Sequence, residues 1–478
     1  MKLPSMMRAV LALTGTCLLG ACMVGPKYNK PPVVTPAAYK ETGDWKIAQP
    51  RDAINRGPWW EIFGDVQLNA LAQQVDVSNQ NVRVAEAKLR QAEALVEQSR
   101  AGFFPTLTGN ASATRSRTPS LSGASTASSA PANVYNLSLN ASWAPDLWGS
   151  VRSTVDANVA SAQASAANVA GVRLLAQSQL AINFFQLRVL DSQRQLLETT
   201  VAAYTKSLEL TRNRYNAGVA ARAEVVIAET QLRSTQAQLI DVGVQRAQLE
   251  HAIAILIGKP PAEFSLAPAV LAVTVPVLPP GLPSELLERR PDIAAAERQM
   301  AAANAQIGVA QAAYFPSLTL SGVFGFRANS PPSWLTSPSR LWSVGPALAE
   351  TLFDGGSRRA VKKQAEAAYD ANIATYRQTV LNAFKEVEDN LSTLRILEEE
   401  AKTQEEAVKA SKLSTELTVN QYKAGTVNYL NVVTVQAAQL NNEATAVKLQ
   451  GQRLVAAVAL VQALGGGWNG LSAGSAPR

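Results

Sequence analysis

The chain has 478 residues, of which 47% are hydrophobic and 17% charged, and carries a formal charge of +7 at pH 7. That length can bury a sizeable core, but Ala, Ser, Gln and Asn crowd the helical segments more than large aliphatics do, so the helices are expected to be half buried. The charge falls from +7 to +5 when Lys2 and Arg8 are removed with a leader, and it is spread without a basic run, which gives no support to a nucleic-acid partner.

Lys2 and Arg8 precede an apolar run from Ala9 to Leu19, too short to span a bilayer as a mature helix and laid out as a secretory signal. It ends in Leu19-Gly20-Ala21-Cys22, which resembles the bacterial lipobox, so residues 1–21 are expected to be cleaved and Cys22 to carry diacylglycerol as a lipid anchor. Cys17 fits that pattern worse and is discarded with the signal, leaving no second cysteine for a disulfide. Met23 follows the anchor. An acidic residue there would resemble an inner-membrane retention signal, so the outer membrane is the expected address.

Residues 22–58 contain Pro26, Pro31, Pro32, Pro36, Pro50 and Pro58, which forbid a helix, and form an extended tether. A first structural repeat spans 59–257. Helical patterning begins near Trp59-Trp60, and a further helix is predicted over 78–102 with Ser78 or Asn79 as N-cap, stopped by Phe103-Phe104-Pro105. Strict alternation then predicts strands at 106–114 and 135–144, the second with Tyr135, Leu137, Leu139, Ala141 and Trp143 on one face. The corner Leu147-Trp148-Gly149 opens a long helical hairpin over 149–257, whose first arm ends near Asn216. A Pro-rich crossover occupies 258–283. The second repeat, 284–464, has strands at 317–326 and 341–350 and a hairpin over 356–464 whose first arm ends near Lys423, and a tail covers 465–478.

The doubling is legible in two places. Asn213-Arg-Tyr215-Asn-Ala-Gly218 recurs as Asn420-Gln-Tyr422-Lys-Ala-Gly425 at an offset of 207, and Phe104-Pro105-Thr-Leu recurs as Phe315-Pro316-Ser-Leu at 211. Each long arm is about 100 Å at about 1.5 Å per residue, and a return helix of about 55 Å plus a short helix of about 35 Å matches it when stacked end to end. The leftover segments then fall around the middle of the body as a belt. Leu187, Leu190, Arg194, Leu197, Val201, Tyr204, Leu208, Thr211 and Tyr215 step by three and four, the spacing of an antiparallel coiled coil. The fold class is mainly α with a small β part. Strands of about ten residues cross an outer membrane when tilted, and four cannot close a barrel, so an oligomer is required, with eight strands as a dimer or twelve as a trimer.

The lipobox followed by Met23-Val24-Gly25-Pro26-Lys27-Tyr28, the two Phe-Pro-[Ser/Thr]-Leu strand starts and the doubled Tyr-x-Ala-Gly hairpin resemble the outer membrane factor family. More narrowly, they are similar to the NodT-type lipoprotein channels of tripartite efflux systems, relatives of TolC, over essentially the whole mature chain. The resemblance implies a homotrimer of twelve strands and twelve helical lines, a periplasmic adaptor protein, and a proton-driven inner-membrane pump of the resistance-nodulation-division class. The implied role is a passive duct exporting drugs or other small molecules. A TolC-type protein-secretion duct and a lipid-anchored spacer without a pore are the alternatives; the anchor disfavours the first and the membrane-length strands the second.

No nucleophile elbow, phosphate loop or paired catalytic motif is present, so no enzyme and no cofactor are expected. The sole histidine, His251, has no second histidine or mature cysteine besides Cys22 to complete a metal site. The informative residues are at the two turns. Gly218 and Gly425 are expected to end their helices in the left-handed conformation with Tyr215 and Tyr422 packed above, and these tips are where the family meets its adaptor. Leu430 matches the family's constricting apolar position, with Asn431 and Thr434 beside it where relatives often carry aspartate, so a neutral periplasmic gate is expected unless Glu224 also faces the lumen.

Overall fold

The computed structural model describes residues 23–33, 35–36, 38–42, 57–117, 131–276, 286–468 and 470. Cys22, most of the link between the first two strands, the end of the crossover and residues 471–478 lie outside the described residues.

A 3-10 turn at Trp59–Phe63 ends at Gly64 in the left-handed conformation, and helix α1 (Val66–Ser78) starts on the Asp65 cap, whose carboxylate accepts from the N–H groups of Gln67 and Leu68. Asn79 separates α1 from α2 (Gln80–Arg100): it is extended, and its side chain accepts from the N–H groups of Asn81 and Val82. Of the two caps predicted, Asn79 is the one used. The helix predicted over 78–102 therefore starts two residues later, because the cap needs an extended residue outside the helix.

Four strands follow the same plan in both copies: β1 (Thr106–Ser116) and β2 (Ala132–Trp143), then β3 (Ser317–Ala328) and β4 (Arg340–Ala349). They form one antiparallel sheet in the order β1-β2-β3-β4. β1, β2 and β3 extend two or three residues beyond the predicted spans at their distal ends, since backbone pairing continues through Arg115↔Asn133 and Tyr135↔Ala328 where side-chain alternation fades. One face carries rows such as Leu139, Phe324 and Trp342 side by side, and the other carries Asn140, Val323 and Ser343. No described helix is long and apolar enough to cross a membrane.

The long arms are α3 (Ser150–Asn216) and α6 (Ser357–Lys423), each 67 residues, and the return helices α4 (Arg222–Leu256) and α7 (Tyr429–Ala463), each 35. α5 (Pro291–Ala312) is the second copy's counterpart of α2. Gly149 and Gly356 open the long arms in the left-handed conformation. At the second corner Asp354 caps α6, and the N–H groups of Arg358 and Gly356 with the Arg358 guanidinium hold its pKa down at about 2.

The end-to-end stacking joints repeat residue for residue. Asn79 donates from Nδ2 to the Leu256 carbonyl at 2.7 Å where α2 meets α4, and its counterpart Arg290 donates from Nη1 to the Ala463 carbonyl at 3.0 Å where α5 meets α7. Beside them sit Gly258 and Gly465, with φ of +71° and +91°; a Cβ there would lie 2.3 Å from the Ser78 carbonyl oxygen and 2.1 Å from that of Arg289. Gly465→Ala must therefore both strain φ and open the joint, at an expected cost of about 3 kcal/mol or more. Gly64→Ala, also at positive φ but with nothing within 4 Å, should lose only about 1–2 kcal/mol. Dissociation temperatures on seminative gels check this: equal shifts would remove the steric role of the joint.

α2 and α4 pack on α3, α3 packs on α5 and α7, and these pack on α6. The helical lines thus run α4/α2, α3, α7/α5, α6, and the free flanks lie on the same two sides as the free strand edges, β1 and β4. The core sits at mid-height. Trp59, Phe63, Leu68 and Val75 pack with Leu180, Phe184 and Phe185 of α3, with Leu266 of the crossover and with Leu454 and Leu460 of α7. Of the coiled-coil stripe, Leu187, Leu190, Leu197, Tyr204, Leu208 and Thr211 are buried, whereas Arg194 lies half out and pairs with Glu198.

The segment after Cys22 is extended but docked. Met23 lies against Gly149 at the head of α3, Asn304 donates to the Pro26 carbonyl, and the Tyr28 hydroxyl donates to Glu297 Oε1 at 2.8 Å. Burial raises the pKa of that phenol. Further down, the N–H groups of Lys40 and Glu41 donate to the Glu388 carboxylate, and Arg395 pairs with Glu41.

Candidate functional site

Both hairpin turns close in one way. In the first, Gly218 at φ +73° donates its N–H to Tyr215 O and Val219 donates to Arg214 O; in the second, Gly425 at φ +78° donates to Tyr422 O and Thr426 to Gln421 O. A glycine at this position satisfies the last carbonyls of the helix without Cβ strain.

The two tyrosines, equivalent in sequence, are not equivalent in space. Tyr422 is 2% exposed and Tyr215 43%. Tyr422 enters a cluster formed by Tyr204, Leu208, Ala228 and Leu232 of the first hairpin with Tyr429 and Val432 of its own. Its hydroxyl donates to Glu224 Oε2 at 3.1 Å, and Thr211 Oγ1 lies 3.4 Å away. The Arg214 guanidinium covers its ring at 4.6 Å and donates to its carbonyl at 2.9 Å. Tyr429 packs edge-on at 5.4 Å and its hydroxyl lies 3.1 Å from Ser207 Oγ. Burial pushes the pKa of all three phenols, Tyr204, Tyr422 and Tyr429, upward, so they stay neutral.

Glu224 is thus engaged between the hairpins. Leu430 lies outside the cluster: its neighbours Tyr429 and Val432 are buried while it is 56% exposed, and Asn431 and Thr434 are exposed beside it. Asn428 caps the turn by accepting from Asn431 N–H, and the Thr434 hydroxyl donates to Leu430 O, so neither presents a charge. The structure brings Leu430, Asn431 and Thr434 onto one exposed turn of α7 and leaves Tyr215 free. Arg214 escaped the sequence reading, although the copies differ there: Arg214 and Glu224 in the first stand against Gln421 and Asn431 in the second. Among the described residues no group of three or more His, Cys, Asp or Glu side chains converges to hold a metal.

A sheet with one apolar face and two open edges, carried on helices about 100 Å long, defines a subunit of an outer-membrane channel whose β-barrel and α-barrel close only as an oligomer. Comparison with known proteins agrees. The model of the outer membrane efflux protein family matches residues 71–259 and 282–466, two segments whose starts and ends differ by the repeat offsets of 211 and 207. The chain is 31% identical over 464 residues to the pyoverdine export outer membrane protein OpmQ of Pseudomonas aeruginosa, covering 96% of this chain and 97% of that one. It is 32% identical over 468 residues to the outer membrane protein OprJ of the same organism, covering 96% of each. The solved outer-membrane channel OprN superposes with a TM-score of 0.87 at 31% identity, over 94% of this chain and all of that one. The chain belongs to the outer membrane efflux protein family, and it is the outer-membrane channel component of an efflux system.

Proposed function

We propose that the channel is a passive duct anchored by lipid at Cys22, gated at Leu430, and coupled through a periplasmic adaptor on its hairpin tips to an inner-membrane pump of the resistance-nodulation-division class. The observation that carries the gate is the exposed apolar Leu430 beside the neutral Asn431 and Thr434, on a hairpin bound to its neighbour by Tyr422. A ring of three leucines closes a pore sterically and by dewetting, and needs no charge to do so. The exposed turns at Gly218 and Gly425, with Tyr215 free, supply the adaptor surface. Energy comes from the pump, so the duct handles small molecules handed to it.

Gly425→Val tests the tip. A β-branched residue is strained at φ +78°, while the strands are at the far end of the body. Drug resistance should fall with trimers intact on a blot; full resistance with intact trimers would remove the tip from the mechanism. The anchor is supported by Met23, the residue after Cys22, which lies at the head of α3 beneath the sheet. Cys22→Ala behind a cleavable non-lipoprotein signal should leave the trimer in the outer membrane, since the barrel holds it as well. A trimer that washes off as soluble protein would leave the lipid as the only attachment.

A further inference from the structure

The two strand pairs carry an unbalanced charge. Residues 106–143 and 317–349 contain four arginines, Arg115, Arg117, Arg327 and Arg340, and no lysine, aspartate or glutamate. All four arginines lie toward the end of the sheet away from the helices, the end that faces the cell exterior. We propose that Arg115 and Arg340 bind the phosphate groups of lipopolysaccharide in the outer leaflet, so that the channel carries a lipid-binding site on its outer rim.

The ladder assigns each arginine a face. Ala111, Leu137, Phe326 and Arg340 form one row across the four strands, so Arg340 stands on the apolar face with Leu139, Phe324 and Trp342. Arg115 follows Ala111 and Ala113 in alternation and stands on that face too, whereas Arg327, opposite Asn136, stands on the polar one. All three are exposed. Tyr135 lies one tier inside Arg115 on the apolar face, and the Trp334 ring from the link between β3 and β4 packs on it at 5.7 Å. Down β2 from Tyr135, Trp143 donates its indole N–H to Phe103 O at the other end of the sheet. The eight-residue separation of these two aromatics is about 27 Å along a strand, or about 20 Å of height at a tilt of about 40°. They therefore mark the two borders of the apolar band, and the arginines stand at the outer border, at headgroup level.

Charges that served only solubility could carry either sign. Here the carboxylates that follow each strand pair are engaged at the opposite end of the sheet: Asp146 accepts from the N–H groups of Val151 and Arg152, and Glu350 pairs with Arg358. The outer rim thus keeps an uncompensated positive charge on the face that touches lipid. A guanidinium offers two parallel N–H donors to a phosphate and stays charged at any physiological pH, and its stem can lie along the apolar face while the head reaches outward. The lipid outside that face in an outer membrane is lipopolysaccharide, whose lipid A carries phosphates at the border of its acyl chains, so position, sign and donor geometry match.

Titration of purified full-length trimers with lipid A in detergent, read by native mass spectrometry, tests the site. Each arginine at an anionic lipid surface contributes about fivefold, so Arg115→Gln with Arg340→Gln should weaken binding about 25-fold, with the difference shrinking at high salt. Arg327→Gln removes the same charge from the polar face and should leave binding unchanged. On the wild-type trimer, which depends on no variant folding, dephosphorylated lipid A and phosphatidylglycerol should each bind at least about tenfold more weakly than lipid A. Undiminished binding by the double variant, or an equal loss in Arg327→Gln, would overturn the assignment to the lipid-facing pair. Equal binding of dephosphorylated lipid A would reduce the contact to acyl chains on the apolar band, and equal binding of phosphatidylglycerol would overturn lipopolysaccharide as the partner.

Discussion

Replacing Leu430 by alanine is expected to raise single-channel conductance several-fold while leaving the trimer as stable as before. The side chain is 56% exposed and outside the tip cluster, so truncating it opens little cavity, and its direct cost to the chain is within about 0.5 kcal/mol. The proposed constriction, by contrast, needs three such side chains to meet on one axis. Thr434→Asp separates closure from charge. It sets three carboxylates in a ring one helical turn further on, and should strengthen cation preference most at low salt, because the screening length is about 10 Å at 0.1 M. If Leu430→Ala lowers trimer stability and leaves conductance unchanged, Leu430 is packing between neighbouring hairpins and the closure lies elsewhere.

Asp191→Ala is expected to release the crossover from the body at a cost of about 3–5 kcal/mol, the scale for breaking a buried ion pair from one side. Asp191 and Arg188 are both almost fully buried in α3, their side chains 2.9 Å apart, and the second oxygen of Asp191 accepts from Arg246 Nε of α4 at 2.7 Å. The crossover is bound to this group by its backbone. Ala269 N–H donates to Asp191, Arg188 donates to Ala267 O, Arg246 donates to Leu266 O, and Leu266 N–H donates to Glu250. Removing the carboxylate leaves the buried Arg188 guanidinium, which lies over Phe184, without its ion-pair partner, while Arg246 keeps Glu250. Limited proteolysis should show new cleavage between residues 260 and 276, with a lower dissociation temperature. Unchanged cleavage there would mean that the apolar contacts of Leu266 and Leu271 hold the crossover without the ion pairs.

The chain's plan was legible because it rests on periodicities that local chemistry imposes. Alternation in Tyr135, Leu137, Leu139, Ala141 and Trp143 marks an apolar sheet face, steps of three and four mark the long arms, and Gly218 and Gly425 can end helices where most residues cannot. The duplication followed from identity at fixed offsets and predicted the stacked joints in outline.

Partner choice was beyond that reach. Tyr215 and Tyr422 occupy the same position in the repeat, yet one is free and the other buried, because Arg214, Thr211 and Glu224 surround Tyr422 from another element. That the proline-rich segment after Cys22 lies along the body was equally hidden: Tyr28, Lys40 and Glu41 are held on α5 and α6 because Glu297 and Glu388, more than 250 residues away, supply the acceptors. Local pattern sets what each segment can become, since it depends on neighbours within a few residues. Tertiary structure decides which of two like residues is used, since burial and hydrogen-bond partners come from chain brought close only by folding.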